Sequence, residues 1–144
     1  MGEFAEPYAA RVIAIMLGIP EHHWRVIARE SATIGLALGV TIRQDLPQIE
    51  AALHRLYAYC DDLIADRRAH PREDFVTALV NASRPEDGRL SDTELREAMV
   101  LLIFGGFDTT RNQLGLAMQT SWRTRISGGC SPSGPTWGAK PSKR

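Results

Sequence analysis

Between Leu46 and Ala69 the sequence reads "LPQIEAALHRLYAYCDDLIADRRA". Leu46, Ile49, Leu53, Leu56, Cys60, Leu63 and Ile64 recur there at helical spacing and make one apolar stripe, with charges on the other sides. A helix of this kind is unstable until other elements cover its stripe. Arg67 and Arg68 suit the negative end of its dipole, and Pro71 follows as a stop. Upstream, Val12, Ile13, Met16 and Leu17 recur within a helix expected over residues 6–17, with Gly18 as its end. Pro20 opens a second helix carrying Trp24, Ile27, Ala28 and Ile34, and Gly35 and Gly39 weaken its end. A mobile connection is therefore expected around "LGVTIRQD". Downstream, "EDFVTALVNA" presents Phe75, Leu79 and Val80, and "SRPEDGR" is turn chemistry. No segment alternates like a strand, so the expected class is mainly α.

The remaining totals exclude more than they identify. Seventeen basic residues balance seventeen acidic ones, which argues against a nucleic-acid partner. Two cysteines, Cys60 and Cys130, stand in unrelated settings, as in a reducing cytosol rather than a disulfide scaffold. His22, His23, His54 and His70 form no metal-binding pattern. No apolar run reaches the roughly 18 residues a membrane span needs, and "MGEFAEPYAARV" lacks a signal-peptide pattern. A soluble, cytoplasmic protein with no membrane partner is the expectation.

One stretch departs from ordinary helix composition. Ser91 and Glu94 form a capping box that starts a last helix. That helix runs into "LLIFGGFDTTRNQLGLAM", where two glycines, an acid and two threonines interrupt an apolar run. Glycine costs a helix interior about 1 kcal/mol relative to alanine. In a helix, Leu101, Phe104, Gly105, Asp108, Thr109 and Asn112 share one broad face. Two readings compete for it. In one, the glycines mark a close helix crossing and Thr109 bonds to its own helix. In the other, a flat ligand lies on the bare stretch, with Asp108 and Thr109 beside its reactive centre.

The stretch resembles the cytochrome P-450 haem-thiolate monooxygenases of the soluble bacterial branch. Their central helix carries [Ala/Gly]-Gly-x-[Asp/Glu]-Thr-[Thr/Ser], matched by Gly105, Gly106, Phe107, Asp108, Thr109 and Thr110. "FAEPYAARVIAIMLGIPEHHW" is similar to the family's "AEP…RVIAELLGIPEED", and "LIADRRAHPREDFVTALVNA…DGRLSDTEL" to the approach to the central helix. The likeness runs nearly unbroken from residue 3 to 120 and would make the five helices those lettered E to I. It implies haem as cofactor, an apolar small-molecule substrate, and a ferredoxin or flavoprotein electron donor. It assigns Gly105 and Gly106 to haem clearance, Asp108 and Thr109 to proton and dioxygen handling, and Leu101 and Phe104 to the substrate side. A hydroxyl both donates and accepts, and a neighbouring acid can relay protons.

Such an enzyme needs a cysteine thiolate under the iron, in a loop reading Phe-x-x-Gly-x-x-x-Cys-x-Gly. Around Cys130, Pro132 occupies the position of the last glycine, and Cys60 lies mid-helix among apolar partners, where an inert thiol is expected. No metal ligand is assigned. Glu86 and Arg89 match a Glu-x-x-Arg spacing but precede the central helix, a chance match. An inactive internal fragment that binds no haem stably is expected, with a non-catalytic helical interaction module as the alternative. Residues 121–144 are rich in Ser, Gly, Pro and basic residues, and a disordered tail is expected there. With free choice of synonymous codons, a shifted frame over residues 121–143 permits "VAHPDQWRLLAERPDLGRQAVEE". That resembles the family's continuation, so a frameshift is the expected origin of the tail.

Overall fold

The computed structural model describes residues 2–83 and 90–127. They form five α-helices: α1 (Gly2–Leu17), α2 (Trp24–Ile34), α3 (Ile42–Ala69), α4 (Phe75–Ala82) and α5 (Asp92–Ser127). Short 3-10 turns precede α2 (Glu21–His23) and follow it (Gly35–Leu38). No strand occurs among the described residues. All five helices contribute to one core, in which Ile13, Leu17, Ile27, Leu56, Cys60, Val76, Leu95, Met99 and Ile103 are buried together.

The stripe of α3 faces this core through Ile49, Leu56, Cys60, Leu63 and Ile64. Leu46 is the exception and stays about half exposed, because the helix begins earlier than its apolar pattern. The connection expected around "LGVTIRQD" is correspondingly shorter: residues 42–45 already belong to α3. The Thr41 hydroxyl donates to Asp45 Oδ2 at 2.6 Å there. In α4 the core-facing residue is Val76 rather than Phe75, which is about half exposed. The offset follows from the helix start: Asp74 caps it by accepting from the Thr77 N–H at 2.8 Å, which turns Val76 and Val80 inward.

Three segments meet at one buried cation. Gly18 ends α1 in the left-handed region at φ 72°, a conformation glycine adopts without strain. A Cβ there would lie 2.3 Å from that of Asp74. Arg67, fully buried near the end of α3, donates from Nε to Asp74 Oδ2 and from Nη2 to the Gly18 carbonyl, both at 2.6 Å. It also pairs with Asp66. Its place near the end of α3 suits the helix dipole, and in the structure the residue also ties α1, α3 and α4 together. Burial alone would raise the Asp74 carboxyl, but the Thr77 and Arg67 bonds outweigh it and hold the group below its ordinary range. A second buried charge, Glu30, is held between Arg29 and Arg55.

The capping box forms as the sequence indicates. Glu94 accepts from the Ser91 N–H at 2.8 Å, and the Ser91 hydroxyl faces the Glu94 N–H at 3.3 Å. From that start α5 runs 36 residues without interruption, about 54 Å at 1.5 Å per residue. It passes through the glycine pair with no break and continues to Ser127, seven residues beyond the boundary expected at Thr120. Cys130, Glu86 and Arg89 lie outside the described residues.

Candidate functional site

The centre of α5 separates the residues that the motif groups together. Its inner side is made by Met99, Ile103 and Phe107, all fully buried, with Ala9 and Ala10 of α1 and Ala28 of α2 packed around Phe107. The outer side carries Leu101, 69% exposed, then Gly105 and the exposed Thr109, one turn apart. Phe104 lies between the two, half-buried and packed against the core.

The two glycines do different work. A Cβ on Gly106 would come within 2.7 Å of Ile13 Cδ1, so this glycine lets α1 cross α5 closely. A Cβ on Gly105 would meet nothing within 4 Å. The competing sequence readings thus divide between adjacent residues: Gly106 is the helix crossing, and Gly105 leaves the outer side bare.

Asp108 and Thr109 divide in the same way. The Thr109 hydroxyl donates to the Gly105 carbonyl at 2.6 Å, back along its own helix. Asp108 turns instead toward α2 and is 7% exposed. Its Oδ1 accepts from Arg111 Nη2 at 2.7 Å and its Oδ2 from Asn112 Nδ2 at 3.0 Å. Successive helix residues point about 100° apart, so an acid and an alcohol side by side in sequence face different neighbours. Of the face expected for Leu101, Phe104, Gly105, Asp108, Thr109 and Asn112, the Asp108–Asn112 pair stays together one turn apart, while Asp108 and Thr109 meet different neighbours.

Arg111 was not singled out from the sequence, although its i, i+3 spacing from Asp108 was a readable signal. Its guanidinium lies 5.1 Å from the Phe107 ring centroid and 3.9 Å from Glu6 Oε2 of α1. Gly35, read only as a weak helix end, lies against Asp108 Oδ1 across the fold. No sequence signal connects positions 35 and 108.

No protein-family model matches the chain. Curated relatives do. It is 34% identical to luteothin monooxygenase of Streptomyces thioluteus over 116 residues, 80% of this chain and 28% of that protein. To cytochrome P450 BJ-3 of Bradyrhizobium diazoefficiens it is 36% identical over 109 residues, 75% of this chain and 25% of that protein. Among solved structures, SgvP, involved in the tailoring step of griseoviridin, superposes with a TM-score of 0.72. Its identity is 28%, over 86% of this chain and 31% of that one. The chain belongs to the cytochrome P450 family. It spans about a quarter of the length of the curated relatives it matches.

The P450 family implies haem, and the described residues fit one part of that requirement. A Cβ on Gly105 would meet nothing within 4 Å, and Leu101 and Thr109 on either side are exposed, so this part of α5 is uncovered. The anchoring sulfur is not supplied by the described thiol. Cys60 is fully buried in the core, and burial, reinforced by Asp61, pushes its thiol up to about 12. A protonated thiol enclosed by apolar side chains is a poor metal ligand. The described residues also contain no group of three or more His, Cys, Asp or Glu placed to hold a metal, and no helix long and apolar enough to cross a membrane.

Proposed function

We propose that this chain is the oxygen-side wall of a cytochrome P450 monooxygenase: α5 would lie over haem, with an apolar small molecule beside it. The single observation carrying this reading is the open strip on α5, bare at Gly105 and bordered by Leu101 and Thr109. Haem, when bound, supplies the dioxygen chemistry. The chain's own residues would shape its surroundings: Gly105 gives clearance, Leu101 and Phe104 present apolar surface to the substrate, and Thr109 holds a hydroxyl able to accept and pass a proton. Asp108 would relay protons from solvent, provided that it turns from its α2-facing position. The outward electron donor would be a ferredoxin or flavoprotein, and the compartment the cytoplasm.

By itself the chain does not turn over on this reading, because the Cys60 thiol is enclosed in the core. Residues 121–144 are proposed to be a frameshifted extension, testable by sequencing the coding DNA. A second reading, a non-catalytic helical module, draws support from the continuous core to which all five helices contribute.

Grafting residues 3–120 in place of the matching segment of luteothin monooxygenase tests the first reading. The chimera is expected to take up haem and give the ferrous–CO spectrum of a thiolate-ligated enzyme, whereas the chain alone gives none. Thr109→Ala in the chimera is expected to lower product formation on the order of 10²-fold. A chimera that folds and excludes haem contradicts the reading and favours the helical module.

A further inference from the structure

Asp108 is a buried carboxylate whose two oxygens both have partners, Arg111 on one and Asn112 on the other. Both partners stand on α5 itself, so they fix the carboxylate relative to that helix alone. Its place in the fold is set by what α2 allows. At the point of contact α2 ends and the chain passes into the 3-10 turn Gly35–Leu38. A Cβ on Gly35 would lie 3.2 Å from Asp108 Oδ1 and 3.8 Å from Arg111 Nη2. A contact of 3.2 Å between carbon and oxygen is tighter than ordinary van der Waals separation, so one side would have to move.

Backbone geometry does not explain the glycine. Gly35 has φ −57° and ψ −22°, ordinary right-handed values that any L-residue adopts. Alanine would also be the better helix former there. Local propensity therefore favours a side chain at position 35, and the atoms nearest to it, those of the Asp108–Arg111 pair, oppose it. A carboxylate at the C-terminal end of a helix also faces the negative end of the helix dipole, an unfavourable placement that the Arg111 cation offsets. Glu6 of α1, 3.9 Å from the other Arg111 nitrogen, draws the same guanidinium toward a third helix.

We infer that Gly35 is a positioning residue for Asp108: the space left by its absent side chain seats the α5 carboxylate against the end of α2, where Arg111 and Asn112 hold it. The seat holds the acid away from the outer side that carries Thr109. For its meaning in proton delivery, and for that alone, the inference rests on the monooxygenase reading above.

The test is a double-mutant cycle on the full 144-residue chain, read without haem. Gly35→Ala, Asp108→Ala and the double variant are compared by thermal unfolding. The Asp108 carboxyl ¹³C signal is followed in the wild type and in Gly35→Ala. Gly35→Ala is expected to lower the melting temperature in the wild-type background and to raise it, or leave it unchanged, once Asp108 is alanine. In the single variant the Asp108 carboxyl signal is expected to shift, and Arg111→Gln should shift it further while Arg111→Lys restores most of it. Should Gly35→Ala alone fail to fold, recovery of folding in the double variant supports the inference. Equal effects of Gly35→Ala in both backgrounds, or an unmoved carboxyl signal, overturn it. Because neither readout involves haem, a failed chimera and a failed cycle are separate results.

Discussion

Two places where α1 meets its neighbours, at Gly18 and at Ile13, are built by opposite means. At Gly18 a missing side chain makes room for a charged network: Arg67 is enclosed and its donors are spent on Asp74, Asp66 and a carbonyl. Halfway along α5 two glycines again remove side chains, yet only Gly106 is filled by a neighbour, Ile13, while Gly105 stays open. The same residue type thus serves a locked joint in one region and an uncovered surface in the other. A glycine is informative only through what occupies the space it leaves.

That contrast is broken most severely at the joint. Arg67→Ala would leave the Asp74 carboxylate and the Gly18 carbonyl without their buried partner. The expected loss is about 3–5 kcal/mol, read from denaturant unfolding. A loss below about 1 kcal/mol would mean that water reaches the site and replaces the guanidinium. At the helix crossing, Gly106→Val drives two methyl groups into Ile13 and is expected to cost about 1–3 kcal/mol. Gly105→Ala should do the opposite and add up to about 1 kcal/mol, since nothing opposes the better helix former. Equal effects at the two positions would abolish the distinction between them.

The smallest effect lies in the acid limb. Burial opposes ionisation of Asp74, but its bonds from Thr77 and Arg67 prevail and set its folded value below the ordinary 3.8. A carboxylate lowered in this way adds stability that is complete above the unfolded value and fades as pH falls through the folded one. Asp74→Asn is therefore expected to flatten the fall of melting temperature between neutral pH and about 3. An unchanged slope would assign the acid sensitivity to other groups, Glu30 first among them, since its bonds from Arg55 and Arg29 likewise overcome the effect of burial.

Much of the framework was legible because it is written in local spacing. The α3 stripe, the Gly18 stop and the Ser91–Glu94 box each depend on residues within a turn or two, and each formed as read apart from exposed Leu46. The family motif was legible for the same reason, its six residues being contiguous. What escaped depends on distance across the fold. Arg67 looks like a helix-end cation until Gly18, 49 positions earlier, is seen to need a donor. Asp108 and Thr109 look like one site until α2 is seen to claim the acid. Residues 121–127 read as tail by composition, yet they extend a helix already nucleated upstream, and propagation costs far less than starting one.

The joint around Arg67 also bears on how the molecule comes apart. Gly18, Arg67 and Asp74 come from three separate helices or their ends, and the buried guanidinium is bonded to both of the others. Loosening any one strand of this knot wets the cation and weakens the other two together. Unfolding that begins at α1, α3 or α4 should therefore spread through all three in a single cooperative step, leaving no half-open intermediate at that end.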